Sequence, residues 1–156
     1  MFRRTDRTRL DRALAAVEIL TLGLWLGALC GFAFIFAPAA FRIVTDLTQF
    51  AALTSANLRT LAVAGDVCGG LAIVLAIVRS RDAADRTNDI ARAACVFVAL
   101  CFLAWEMAYV VPAMAATTDY HSDSYHALHG LSTQVYGGAV LFVALALVLA
   151  AVRSEG

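Results

Sequence analysis

The chain has 156 residues, 62% of them hydrophobic and only 15% charged, with a mean hydropathy of +0.78. A soluble domain carries about 25% charged and 45–50% apolar residues, so a soluble globular fold is excluded. The formal net charge is zero, and every basic residue is an arginine at the edge of an apolar block. That placement excludes nucleic-acid binding, which needs a basic soluble face. The apolar excess falls in long blocks and predicts an all-α integral membrane protein, an antiparallel four-helix bundle in the lipid bilayer.

Residues 1–12, MFRRTDRTRLDR, read as a basic cytoplasmic arm before one transmembrane domain, 13–156. The first span is expected over 15–41. Its core, Ile19–Ala40, holds no charge and exceeds the roughly 20 apolar residues a helix needs to cross a bilayer. Gly23, Gly27 and Gly31 recur every fourth position and form a smooth stripe where another helix backbone can approach closely. Such a glycine zipper makes the first helix central if the neighbour is internal, and forms a dimer seam if it is not. Glu18 is expected to cap, snorkel or pair with the basic arm. Pro38 is expected to kink or end the helix. Ala37-Pro38-Ala39 imitates a cleavage site, but the run before it exceeds a signal-peptide core of about 7–15 residues, so a retained helix is expected.

Thr45 or Asp46 can cap the next helix. Leu47, Phe50, Ala51 and Leu58 then give a helical stripe through a more polar stretch at the interface or tilting into the bundle. The second span, 57–79, is apolar through its centre except for Asp66, and Gly65 with Gly69 makes another small pair. Arg79–Arg92 reads as a solvated connection of alternating charge. The third span, 92–112, is broken by Glu106 and closed by Pro112. Residues 117–129, TTDYHSDSYHALH, form the one loop rich in ligand-type side chains. Ser122, Asp123 or Ser124 can cap the fourth helix, whose span is expected over 129–152.

Arginines set the expected orientation. Arg3, Arg4, Arg7, Arg9, Arg12, Arg79, Arg81, Arg86, Arg92 and Arg153 fall on one side of four spans, and only Arg42 and Arg59 on the other. The positive-inside rule makes the richer side cytoplasmic. Both termini are then in the cytoplasm, in a multi-pass protein of the inner membrane.

Ionisable groups within spans point to function, because each costs about 2.5–3.5 kcal/mol at mid-membrane. They are Glu18, Asp66 and Glu106. Asp66 and Glu106 are each expected roughly 10 Å inside the outer interface, where His126 and His129 enter on the fourth helix. Two histidines at i, i+3 can face one ligand. One reading is therefore an outward pocket of Asp66, Glu106, His126 and His129, with His121, Asp119 and Asp123 at its mouth. It would bind zinc or copper(II), or bind or transport a small polar solute.

A second reading is a non-catalytic accessory or structural subunit, docking another membrane subunit or a second copy through the glycine stripe. There the two acids pair with Arg42 and Arg59, and the aromatic residues and histidines are interface anchors. A membrane oxidoreductase comes third, since a single axial histidine for haem is the only ligand set on offer. No phosphate-cradling loop, dinucleotide fingerprint or nucleophile elbow occurs. Ser132 and His129 have no third orienting group, so an enzyme is not the expectation. Cys30, Cys68, Cys95 and Cys101 sit in apolar runs without a CxxC and read as small hydrophobes.

Leu24-Trp25-Leu26-Gly27, Phe36-Ala37-Pro38-Ala39-Ala40-Phe41-Arg42 and His129-Gly130-Leu131-Ser132 together resemble the transmembrane-protein-205-like family. The resemblance implies a four-helix integral membrane protein with no agreed activity. The His- and Asp-rich loop before His129 departs from that family. A fainter likeness is to anthrone-oxygenase-like four-helix proteins and to copper-resistance membrane domains that share a W-x-G signature.

Overall fold

The computed structural model describes residues 4–80, 86–117 and 119–154. Its four long helices, Arg9–Ile43, Leu47–Arg79, Arg86–Ala115 and Asp123–Val152, are each long and apolar enough to cross a membrane. They are called here the first to fourth spans. Their helices run beyond the apolar blocks: the stretch from Leu47 is continuous with the second span and forms no separate interfacial segment. Asp46 caps that helix, its carboxylate accepting from the Thr48 N–H at 2.8 Å. Ser122 precedes the fourth, its hydroxyl accepting from the Tyr125 N–H at 3.3 Å.

Heptad-like spacing decides which side chains face inward. Up to the two π turns the buried positions are Ala15, Glu18, Leu22, Trp25 and Leu29 on the first span, and Asp89, Arg92, Val96, Ala99, Leu103 and Glu106 on the third; beyond them Ala40, Val110 and Val111 are buried too. Steps of three and four residues keep such a stripe on one helix face. The second span turns Gly65, Gly69, Ala72, Ala76 and Arg79 inward, and the fourth Tyr136, Ala139, Val143, Ala146 and Ala150. Large residues thus come from the first and third spans, and mostly small ones from the second and fourth. A Cβ on Gly65 would meet Trp25 Nε1 at 2.9 Å and Leu103 at 3.2 Å. One on Gly69 would meet Leu100 at 2.9 Å, and one on Gly138 would meet Phe102 at 3.1 Å. Small residues at these points let the backbones close up, which is how helices gain contact where lipid offers no hydrophobic drive.

These contacts fix the topology. Glu18 meets Arg79 while Trp25 meets Gly65, so the first two spans are antiparallel. Gly65 meets Leu103 while Gly69 meets Leu100, and Asn88 reaches Leu149 while Ser132 reaches Glu106, so each later pair is antiparallel too. The first span packs on the second and fourth, closing an up-and-down square with both termini at one end. That end is the terminal end; the opposite one, with residues 44–46, 116–117 and 119–122, is the loop end.

The glycine stripe of the first span does not make it central. A Cβ at Gly23, Gly27 or Gly31 would meet nothing within 4 Å. These glycines lie about half a turn from the inward stripe, so the internal zipper is corrected: the tight glycine contacts are at 65, 69 and 138. Neither proline ends its helix. Each is the second residue after a π turn, Phe32–Phe36 before Pro38 and Glu106–Val110 before Pro112. Proline has no N–H and its ring crowds the carbonyl four residues back. The wider turn absorbs this: Ala37 N–H bonds to Phe32 O and Val111 N–H to Glu106 O, five residues back in each case. Both helices then continue, to Ile43 and Ala115. The outer wall is apolar, with Leu24, Phe34, Ile35 and Val67 all at least two-thirds exposed, as lipid contact requires.

Candidate functional site

Polar groups occupy the bundle interior at both ends, with an apolar core of Leu22, Trp25, Leu29, Val96, Ala99 and Leu103 between them. At the terminal end Glu18 bridges two arginines. Arg79 Nη1 donates to its Oε2 at 2.7 Å, and Arg92 Nε lies 2.6 Å from its Oε1 across the bundle. The second contact is an ion pair by distance, although its angle misses hydrogen-bond geometry. Arg92 Nη2 also donates to Asp89 Oδ1 at 2.6 Å. All four side chains are buried. Among the described residues two carboxylates face two guanidiniums there, which is what burial of ions demands. Glu18 therefore pairs with Arg79 and Arg92, where the basic arm was expected. Arg3, Arg4 and Arg7 of that arm have side chains outside the described residues, and Arg79, Asp89 and Arg92 are no solvated connection. Residues 81–85 of that connection lie outside the described residues.

The loop end is different. Glu106 opens the π turn on the third span and has no exposed surface. The Ser132 hydroxyl donates to its Oε1, whereas its Oε2 is buried without a hydrogen-bond partner among the described residues. No arginine forms an ion pair with it among the described residues. One turn toward the bundle centre lies Leu103, which closes on Gly65 alongside Trp25. The Trp25 indole N–H is likewise buried and unpartnered. One turn below Ser132, the Tyr136 hydroxyl donates to Leu29 O at 2.9 Å and its ring sits 5.7 Å from Phe32. Tyr125, His129, Ser132 and Tyr136 share one stripe of the fourth span. It descends from half-buried Tyr125 and exposed His129 to buried Tyr136. The Tyr125 and His129 rings lie nearly parallel, 6.4 Å apart. Chemically this is a deep acceptor, one spare donor and a polar stripe leading to them.

The residues proposed as metal ligands are not brought together. Glu106 faces inward, but Asp66 is exposed on the outer wall of the second span, one residue beyond the inward Gly65. His126, His129, His121 and Asp123 are all exposed. Among the described residues no group of three or more His, Cys, Asp or Glu could hold a metal ion. The zinc or copper pocket is corrected accordingly: heptad spacing turns one acid in and the other out. Neither Asp66 nor Glu106 forms an ion pair with Arg42 or Arg59 among the described residues. Asp119 instead shapes its own loop, accepting from His121 N–H at 2.9 Å. The four cysteines are free, three half-buried and Cys101 exposed. Tyr136 is a core residue and not an interface anchor.

Five groups escaped the sequence reading: Arg79, Asp89 and Arg92, and the polar tips of Trp25 and Tyr136. The signal for the ions was present, because Asp89 and Arg92 extend the stripe of Val96, Ala99, Leu103 and Glu106 in steps of three and four. For the indole and phenol no signal existed, since aromatics near a span end are commonly anchors.

Residues 20–123 match the family model described as a domain of unknown function, DUF4149, and the chain belongs to that family. This agrees with an uncharacterised membrane domain; the transmembrane-protein-205-like likeness stays a resemblance. Neither the curated proteins nor the solved structures contain a match to the chain.

Proposed function

We propose that this member of the DUF4149 family is a membrane binding module, not an enzyme, whose ligand docks on Glu106 from the loop end. The observation that carries the reading is the buried, unpartnered Glu106 Oε2. A buried acceptor left unsatisfied is costly, about 1–3 kcal/mol, and persists where a partner is expected. The ligand class is a small polar solute with an amine, guanidinium or hydroxyl donor, able to follow the stripe of Tyr125, His129 and Ser132. His126, His121 and Asp123 form the polar rim of that approach. The terminal end faces the cytoplasm on this reading, because its arginines obey the positive-inside rule.

The test is thermal unfolding of detergent-purified protein with methylammonium, ethanolamine or guanidinium. A ligand that binds only the folded state raises stability by RT ln(1 + [L]/Kd). Wild type should gain melting temperature with at least one probe in a dose-dependent way, and Glu106→Gln with none. Equal shifts in both proteins, or no shift in wild type, would sink the proposal. A second reading, an accessory subunit, is favoured by the outward-facing Gly23, Gly27 and Gly31. It expects Gly27→Leu to abolish co-purification of a membrane partner, and unchanged recovery would count against it.

A further inference from the structure

An open groove of about 350 Å³ interrupts the lipid-facing wall along the seam of the third and fourth spans. Val98, Cys101, Phe102 and Trp105 line it from one helix, Leu131 and Val135 from the other. Val98 to Trp105 is seven residues, so the groove is roughly 10 Å long. Its volume falls within the range of small-ligand sites, about 300–1,000 Å³. The groove also leads to Glu106. Glu106 lies four residues beyond Phe102 and Ser132 three before Val135, so their hydrogen bond crosses the same seam one turn nearer the loop end. Trp105 and Leu131 immediately precede Glu106 and Ser132, and both are exposed, so each can swing aside on the lipid face. An apolar trough therefore adjoins a buried acceptor, Glu106 Oε2, that has no hydrogen-bond partner among the described residues.

We infer that the ligand of Glu106 is an amphiphile drawn from the membrane, a single hydrocarbon chain ending in an amine. The ammonium head donates to Oε2, and the chain lies in the groove from Trp105 and Leu131 toward Val98. Charge complementarity selects the head: buried charges are paired, and Glu106 forms no ion pair among the described residues. The groove selects the tail, because its walls offer a chain of methylenes contact that a wholly polar solute leaves unused. Direction agrees as well. The head sits toward the loop end and the tail toward the bundle centre, which is how such a molecule already lies in that leaflet. The inference rests on the Glu106 reading and names the class of its ligand.

The test is thermal unfolding of detergent-purified full-length protein titrated with ethylammonium, butylammonium and hexylammonium chloride, with Kd read from the dose dependence. Burying one methylene gives roughly fourfold in affinity and an open groove recovers part of it, so Kd should fall about tenfold or more from ethylammonium to hexylammonium. Cys101→Phe, at an exposed position, and Val98→Phe, at the deep end, fill the groove. Each should cut that gain to about threefold or less while ethylammonium binds as before. Val148→Phe, on the exposed wall of the fourth span, should keep the full gain. Glu106→Gln should bind none of the three. Ethylammonium binding with no gain along the series would overturn this inference and leave the Glu106 reading standing. An equal gain in both filled variants, or one that survives Glu106→Gln, would mean partition into detergent and overturn it too. No response to any amine in wild type would overturn both.

Discussion

Replacing Glu18 by leucine should be among the most damaging single changes in this protein. The carboxylate is fully buried and bridges Arg79 at 2.7 Å and Arg92 at 2.6 Å. Its loss leaves two guanidiniums in an apolar interior with one carboxylate fewer. Removing one partner of a buried pair costs about 3–5 kcal/mol, and a residue serving two cations belongs at the upper end. For a chain of this length each kcal/mol moves the melting temperature by about 2–4 °C, so a fall of roughly 10–20 °C is expected. The assay is unfolding in mild detergent followed by Trp25 and Trp105 emission. Glu18→Leu with Arg79→Leu leaves Arg92 balanced by Asp89, so the double variant should lose about 2 kcal/mol less than the two single losses combined. Arg12→Leu, at an exposed position, should leave the melting temperature unchanged. Additivity within about 0.5 kcal/mol, or an Arg12→Leu loss as large as that of Glu18→Leu, would refute the reasoning.

Gly65→Ala should destabilise by about 1–3 kcal/mol through overpacking, because its Cβ meets the Trp25 indole at 2.9 Å. Gly27→Ala, with nothing within 4 Å, should be neutral or stabilising in the same melt. Ser132→Ala removes the donor to Glu106 Oε1 and should cost about 1–3 kcal/mol, whereas Ser132→Thr should retain most of it. Tyr136→Phe loses the 2.9 Å bond to Leu29 O and should cost about 0.5–1.5 kcal/mol.

The fold was legible because lipid imposes a simple pattern. Long apolar blocks give the number of helices, and short connections make neighbours antiparallel. The level along the bundle was legible as well, with Gly65 beside Leu103 and Glu106 beside Ser132, but facing was not, and the site depends on facing. Asp66 and Glu106 look alike as lone acids in apolar runs. One continues the stripe of Val96, Ala99 and Leu103, while the other stands one residue off the stripe of Gly65, Gly69 and Ala72. A single step turns a helix by about 100°, enough to send one carboxyl to the core and the other to the wall. The first-span glycine stripe was misjudged for the same reason: its three regular glycines face outward, whereas the Gly65 and Gly69 pair of the second span does pack tightly, as does Gly138 of the fourth.

The two ends of the interior answer the burial of charge differently, and the proposed function rests on that difference. At the terminal end each carboxylate already meets a guanidinium, so a ligand there would have to break ion pairs before making any of its own. That cluster holds the first three spans in register and has little left to offer. At the loop end, among the described residues, Glu106 has only a hydroxyl for company, and its second oxygen has no hydrogen-bond partner. Both π turns also lie in this half, one on each of two diagonal spans. A π turn forgoes regular α-helical bonding, and such turns gather at functional sites. If Pro112→Ala lets the helix close into a regular α turn, Val110 and Val111 must rotate relative to Glu106. The ligand-dependent rise in melting temperature should then shrink while the terminal cluster stays intact. An undiminished rise in Pro112→Ala would mean that the π turn serves the proline alone and that Glu106 needs no such setting.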